Sequence, residues 1–68
     1  MKIVSINTEY IKLDQFLKWA GVCDSGSEAK FLISEGKAKV NGERELRRGK
    51  KLRKGDTVEA GGMLYQIE

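Results

Sequence analysis

The spacing of hydrophobic residues in the N-terminal half changes from a strand pattern to a helix pattern. The stretch 2–7 is rich in β-branched residues and predicts a short first strand. Four later apolar residues follow the i, i+3, i+4, i+7 spacing of one helix face: Leu13, Phe16, Leu17 and Ala20. Gly21 lies where a helix C-cap is expected. The pattern therefore predicts a first helix over about residues 10–20.

The start of a second helix is marked by a capping box. In Ser25-Gly26-Ser27-Glu28, Ser25 is the expected N-cap and Glu28 follows three residues later. Ala29, Leu32 and Ile33 then form an apolar stripe, and Gly36 ends the helix. Because only about four residues join the two helices, we expect them to turn sharply and pack on each other.

After Gly36 the hydrophobic period changes to two. Ala38 and Val40 alternate with polar neighbours, and Asn41-Gly42 is a strong hairpin signal because both residues tolerate positive φ. A second strand is expected at 43–47, and a closing hairpin is expected at 57–60 and 63–67. The last strand should pair with the first, since an isolated hairpin is marginal in water.

These elements predict an α+β fold with two short packed helices against a small antiparallel sheet. We expect one domain over residues 1–68. The predicted core consists of Ile3, Val4 or Ile6, Leu13, Phe16, Leu17, Ala20, Ala29, Leu32, Ile33, Val40, Leu52, Val58, Leu64 and Ile67.

Charge is distributed unevenly along the chain. Residues 37–54 hold nine Lys or Arg and two Glu, a local charge of 9 − 2 = +7 in a chain whose total is +3. The flanking segments 1–36 and 55–68 carry −1 and −3. One strongly basic segment on a small domain is typical of a protein that binds a polyanion.

The composition argues against catalysis. The chain has no His to act as a base near neutral pH, and its one cysteine, Cys23, has no partner for a disulfide or a metal site. We therefore expect no enzyme, no metal, no cofactor and no small-molecule substrate. The sequence also shows no apolar run of about 20 residues and no signal-peptide pattern. We expect a cytoplasmic monomer that does not bind membranes.

Several segments, in order, resemble the RNA-binding domain first named for small-subunit ribosomal protein four, here called the S-four domain. The family pattern is roughly R-L-D, S-R-x-x-A-R-x-L-I, G-x-V-x-V-N-G and G-D. The chain is similar over residues 11–58, and it looks most like short stand-alone bacterial proteins made of this domain alone. The matching segments are IKLD at 11–14, SGSEAKFLI at 25–33, GKAKVNG at 36–42 and KGD at 54–56.

The resemblance implies an alpha-L motif, in which two helices and a following β-turn-β unit present one RNA-binding face. Lys12 and Lys30 stand for two of the family's arginines, whereas Gly26 replaces a third. Lys37 and Lys39 fall in the strand before the Asn-Gly turn. The remaining candidate RNA-binding residues come from the charge pattern alone: Arg44, Arg47, Arg48, Lys50 and Lys51.

The function expected from charge and resemblance is binding of structured RNA, specifically ribosomal RNA, in ribosome assembly or function. A rigid basic face can read phosphate spacing and 2′-hydroxyls in A-form helices. The alternative is an adaptor that docks on an acidic protein partner and uses an exposed Trp19. Trp19 has two interpretations, as a stacking residue or as cover for a sheet edge. DNA and membrane binding rank lower, because no recognition helix and no amphipathic anchor are evident.

Overall fold

The computed structural model describes residues 1–68. It has two helices and seven short strands. In chain order these are β1 (Lys2–Val4), β2 (Ile11–Lys12), α1 (Leu13–Trp19), α2 (Gly26–Ser34), β3 (Lys39–Val40), β4 (Glu43–Arg44), β5 (Lys51–Leu52), β6 (Thr57–Ala60) and β7 (Met63–Ile67). The two helices have 7 and 9 residues, and neither could span a bilayer.

The strands form a five-stranded sheet and a separate two-stranded ribbon. The sheet has the order β1-β7-β6-β3-β4, and the ribbon pairs β2 with β5. The predicted pairing of the first and last strands is present, but it is parallel, so the sheet is mixed and not purely antiparallel. A parallel pair needs a long crossover. Here the whole chain from Ser5 to Gly62 supplies that crossover.

Helix α1 is shorter than its hydrophobic spacing predicts. It begins at Leu13, because Ile11 and Lys12 pair with β5 and Lys12 keeps an extended backbone (φ −74°, ψ 150°). Leu52 is buried and its partner Ile11 is half-buried against the core. The ribbon therefore covers apolar surface, and its pairing would be lost if the helix began one turn earlier. The helix ends before Gly21, as expected.

Helix α2 begins directly after Ser25, the predicted N-cap, but the Glu28 carboxylate makes no hydrogen bond back to Ser25. The Ser25 hydroxyl accepts a hydrogen bond from the Glu28 N–H (3.2 Å) and so satisfies one of the free donors at the helix start. The two helices pack on each other, with Leu17 of α1 and Ile33 of α2 both buried. The ring of Phe16 meets Tyr65 of β7 edge-on, at 5.9 Å between centroids and 82° between planes, and so joins the helices to the sheet.

The core differs from its prediction mainly in β7 and at the N-terminus. Tyr65 and Ile67 share the inward face of β7, so Leu64 points outward and is 42% exposed. The prediction of Leu64 was wrong because inward positions in a strand recur every two residues. Ile3 is also exposed, whereas Ile6, which the prediction gave as the alternative to Val4, is buried. The remaining buried residues that the prediction omitted are Cys23, Ala38 and Ala60.

The Asn41-Gly42 turn forms as predicted and also links two parts of the sheet. Asn41 and Gly42 both have positive φ, at 51° and 85°. The Asn41 side-chain oxygen accepts a hydrogen bond from the Thr57 N–H (2.9 Å), and its amide nitrogen donates to Asp56 (3.2 Å). These bonds fix the turn to the start of β6.

Candidate nucleic-acid interface

The outer face of the β2–β5 ribbon combines cations with an aromatic ring. Lys12 lies directly opposite Lys51 in the antiparallel register. The ring of Tyr10 lies beneath two cations: Lys51 Nζ is 4.8 Å from its centroid and Arg53 Cζ is 5.8 Å away. Cations at this distance are attracted to the negative face of the ring. Tyr10 therefore holds two cations side by side that would otherwise repel each other.

Next to this ribbon lies an open groove of about 640 Å³, here called the basic groove. Its lining contains no acidic side chain and consists of Arg47, Gly49, Lys50, Lys51 and Arg53. Four positive charges along one groove create a field that concentrates anions.

The loop that carries these charges is fixed to the start of α1 by its backbone. The carbonyl of Lys50 accepts from the Leu13 N–H (2.9 Å), and the carbonyl of Arg48 accepts from the Asp14 N–H (3.1 Å). These donors have no partner within the helix, so the loop satisfies them. Because the backbone faces the helix, the basic side chains are left on the outside, where Arg48 is exposed and Lys50 is half-buried.

Arg47 is the one groove cation with a carboxylate partner. Its Nε lies 3.0 Å from Glu45 Oε2, and its backbone N–H donates to the same oxygen at 3.0 Å. These hydrogen bonds lower the pKa of Glu45 below its ordinary value and raise the pKa of Arg47. The pair fixes the position of Arg47 and also partly neutralises it.

This ion pair is the single one in the structure. The chain has 13 Lys and Arg, so 13 − 1 = 12 cations lack a carboxylate within 4.0 Å. The chain also holds ten carboxylate side chains, so acids are available but lie elsewhere. Apart from Arg47, the cations are therefore not neutralised by carboxylates of the chain.

A second basic area lies on the open face of the sheet. Lys39 of β3 has Arg44 of β4 as its neighbour on one side and Glu59 of β6 on the other. The Arg44 side chain crosses over Gly36, where a Cβ atom would lie only 2.9 Å from Arg44 Cδ. Gly36 also has φ +72°. The glycine after α2 therefore makes room for the stem of Arg44.

The structure brings together part of the set of residues predicted from the sequence. Arg47, Lys50 and Lys51 line the basic groove, and Lys12 adjoins it through its pairing with Lys51. The other candidates are exposed but do not line the groove: Lys30, Lys37, Lys39, Arg44 and Arg48.

Two residues of this surface were missed by the sequence interpretation. Tyr10 was assigned to a helix, and Arg53 was left out of the site. The signal for Arg53 was the alternation of Lys51, Leu52 and Arg53, which puts both cations on one side of a strand. Recognising Tyr10 requires knowing that β2 pairs with β5.

A second open groove, of about 520 Å³, has Tyr10 and Lys12 in its lining and is here called the aromatic groove. Trp19 lines it and is 65% exposed, although its indole N–H donates to the Ser5 carbonyl (3.1 Å). The bond ties the end of α1 to the residue after β1. The rest of the lining is Ile6, Asn7, Thr8, Glu9, Ile11 and Gln15.

The two packed helices followed by the β3-turn-β4 unit define an α+β domain with an alpha-L motif. The chain belongs to the S4 domain family, the S-four domain of the sequence analysis. The family's model, described as "S4 domain", matches residues 4–68.

Two relatives are similar to this protein over most of its length. It is 52% identical over 59 residues to a probable ribosome maturation protein, RlbA, of Bacillus subtilis (strain 168), covering 87% of this chain and 83% of that protein. It is 38% identical over 58 residues to the putative RNA-binding protein YbcJ of Escherichia coli (strain K12), covering 85% and 83%.

Solved structures support the same fold. The solution structure of E. coli YbcJ, described as revealing an alpha-L motif involved in RNA binding, superposes with a TM-score of 0.74 at 35% identity. That match covers 98% of this chain and 86% of YbcJ. The 30S ribosomal protein S4e of Thermoplasma acidophilum gives a TM-score of 0.66 at 20% identity, over 88% of this chain and 32% of S4e, and so shares the fold.

Proposed function

We propose that this protein binds structured RNA, specifically ribosomal RNA, through the basic groove and the adjoining β2–β5 ribbon, and that it acts without catalysis in ribosome maturation. The observation that carries the proposal is the groove itself, whose lining holds four cations and no acid, and of these cations only Arg47 is paired with a carboxylate, that of Glu45. Support also comes from the relatives, of which one is called a probable ribosome maturation protein and another a putative RNA-binding protein.

RNA fits this surface better than an acidic protein does. An RNA helix offers phosphates at regular spacing, and lysines bind them as point charges while arginines can bind them through two hydrogen bonds. Lys51 and Arg53 lie two residues apart on one side of the chain, with Lys12 across from Lys51. This produces a compact cluster of charges on a backbone fixed by hydrogen bonds to α1. A preorganised cluster loses little conformational entropy when it binds.

Salt dependence provides the first test. If about five phosphates are neutralised, affinity should fall roughly 10²- to 10³-fold between 50 and 200 mM salt, borrowing the duplex-DNA slope. The measurement is fluorescence anisotropy of a labelled RNA hairpin over a series of salt concentrations. An affinity that does not change with salt would contradict the proposal.

A pair of matched variants locates the interface. Lys51→Gln with Arg53→Gln removes two charges from the groove, and Lys2→Gln with Lys18→Gln removes two charges from exposed positions outside it. We expect the groove variant to bind more weakly and to reduce the slope of log K against log salt by roughly two. The control variant should keep most of that slope. Equal losses in both variants would show that net charge, and not this groove, drives binding.

The cellular target is tested by crosslinking and sequencing of bound RNA. The native chain should enrich a defined ribosomal RNA site, and the Lys51→Gln/Arg53→Gln variant should lose it. If the native chain enriches only other RNAs, RNA binding stands but the ribosomal assignment is wrong.

A further inference from the structure

The aromatic groove lies immediately beside the proposed RNA surface. Tyr10 and Lys12 belong to both, since they form one wall of the groove and the outer face of the β2–β5 ribbon. An RNA strand whose phosphates lie over Lys51 and Arg53 would therefore pass the mouth of this groove. A nucleotide that left the stack of such an RNA would meet the groove from the side.

Trp19 offers a ring that is exposed and fixed in orientation. Its N–H bond to the Ser5 carbonyl holds the indole in place, while about two thirds of the residue stays open to solvent. The exposed part of the indole is therefore accessible to a ring that stacks on it from outside. An indole held by one polar contact also loses little freedom when another ring stacks on it.

The charges in the aromatic groove favour a base over a phosphate. Its lining contains one acid, Glu9, and one base, Lys12, so its net charge is zero. The basic groove next to it has four cations and attracts phosphates far more strongly. The aromatic groove offers instead a ring for stacking and side-chain groups such as Gln15, which can bond the edge of a base.

We propose that the aromatic groove is a binding site for one unpaired nucleotide of the RNA, whose base stacks on Trp19. The inference rests on the proposed function and adds a specificity to it: the preferred RNA is a helix interrupted by an extruded base. Sequence-tolerant stacking of unpaired bases on aromatic side chains is a general mode of RNA recognition.

The test compares two RNA hairpins that differ by one unpaired adenosine in the stem. Trp19 is the only tryptophan of the chain, so its fluorescence reports on this groove alone. We expect the hairpin with the unpaired adenosine to quench Trp19 and to bind more tightly than the fully paired hairpin. Stacking of one base corresponds to a preference of about 5- to 150-fold.

Two variants separate stacking from a structural role. Trp19→Phe keeps an aromatic face and loses the bond to Ser5, so it should retain most of the preference. Trp19→Leu keeps apolar bulk without an aromatic face, so it should bind both hairpins with the affinity of the paired one. Phe31→Leu is the matched control, because Phe31 is also an exposed aromatic residue (61%) but lies on α2, away from the groove. It should leave the preference unchanged.

The outcomes distinguish this inference from the function on which it rests. If both hairpins bind equally and neither quenches Trp19, the proposed nucleotide site is wrong, while the proposal of RNA binding stands. The aromatic groove would then be a candidate site for a protein partner. Equal loss of preference in Trp19→Leu and Phe31→Leu would also overturn it. If neither hairpin binds, the proposed function itself fails.

Discussion

Replacing Gly26 by arginine should strengthen RNA binding, because it adds a cationic side chain at the start of α2. It is the first residue of α2 and directly follows the N-cap Ser25. A Cβ atom built at Gly26 meets nothing within 4 Å, and its φ is not in the left-handed region. The S-four pattern carries an arginine at this position. Gly26→Arg should therefore fit without displacing any neighbour.

The effect of Gly26→Arg on stability should be small because two contributions oppose each other. Replacing a helical glycine gains up to about 0.8 kcal/mol in helix propensity. A cation in the first turn of a helix costs about 0.3–1 kcal/mol against the helix dipole. The free energy of unfolding should therefore change by less than about 0.5 kcal/mol, which urea denaturation can establish before any binding measurement.

The effect of the same substitution on RNA binding should be larger. One added guanidinium that reaches a phosphate makes the slope of log K against log salt steeper by about one. A charge-assisted hydrogen bond is worth about 1.5–3 kcal/mol. We take the lower end, since an exposed arginine loses rotamer freedom on binding. The expected gain is about tenfold in affinity at 0.1 M salt.

Ser34→Arg is the matched control for Gly26→Arg. Ser34 is the last residue of α2, 34 − 26 = 8 positions further on, so it lies about 12 Å along the helix axis. That distance exceeds the screening length of about 10 Å at 0.1 M salt, so an arginine at position 34 should add little to the affinity for an RNA bound at the start of α2. If both variants fold and gain equally, or if neither gains, the start of α2 does not face the RNA.

Three further substitutions test the fold and the basic surface. Gly36→Ala should cost about 1–2 kcal/mol in urea denaturation, because φ is +72° and the new methyl group displaces Arg44; an unchanged midpoint would refute this. Glu45→Gln should destabilise the chain at pH 7 and do so less as the pH falls: the lowered pKa of Glu45 gives stability that is present above its ordinary pKa and is lost as the pH falls through the folded-state pKa, so a loss that stays the same as the pH is lowered would contradict the ion pair. Phe16→Ala should cost about 3–5 kcal/mol and lower the midpoint of thermal unfolding by circular dichroism, and a midpoint close to that of the native chain would show that Phe16 is not a core residue.

Elements with local signals were predictable from the sequence. Helix α2 begins at its Ser25 cap, and the Asn41-Gly42 turn adopts positive φ, because each depends on residues within four positions of one another. The partner of β1 was also predictable, since a short strand rich in β-branched residues needs a neighbour.

The β2–β5 ribbon was not predictable from local patterns. Each of its strands has two residues, and Ile11 and its partner Leu52 are 41 positions apart. Ile11 and Lys12 also precede a helical pattern without a break, so the sequence favours a longer helix. The pairing is decided by burial of Leu52 and by the backbone bonds to α1, which are tertiary contacts. The placement of Tyr10 under Lys51 depends on this pairing.

The positive charge of the candidate site was predictable from the sequence, but the separation of its cations into two areas was not. The excess of cations at 37–54 is plain from the composition. The cations are separated into two areas because β4 ends at Arg44. One area is the sheet patch of Lys39 and Arg44, and the other is the basic groove, with Arg47, Lys50, Lys51 and Arg53. The chain then leaves the sheet for the start of α1. A longer β4 would have kept these charges on one strand.

The arrangement of charges shows that this surface is not optimised for the stability of the free chain. Lys12 and Lys51 face each other across a strand pair, where like charges are unfavourable, and no carboxylate lies within 4.0 Å of either. A small domain has only a few kcal/mol of stability to lose. The Tyr10 ring and the backbone bonds from Leu13 and Asp14 compensate locally, because they hold the repelling strands together without neutralising them. Stabilisation that leaves the charges intact is what a polyanion-binding surface requires, whereas an acidic side chain at Tyr10 would stabilise the ribbon and weaken its field.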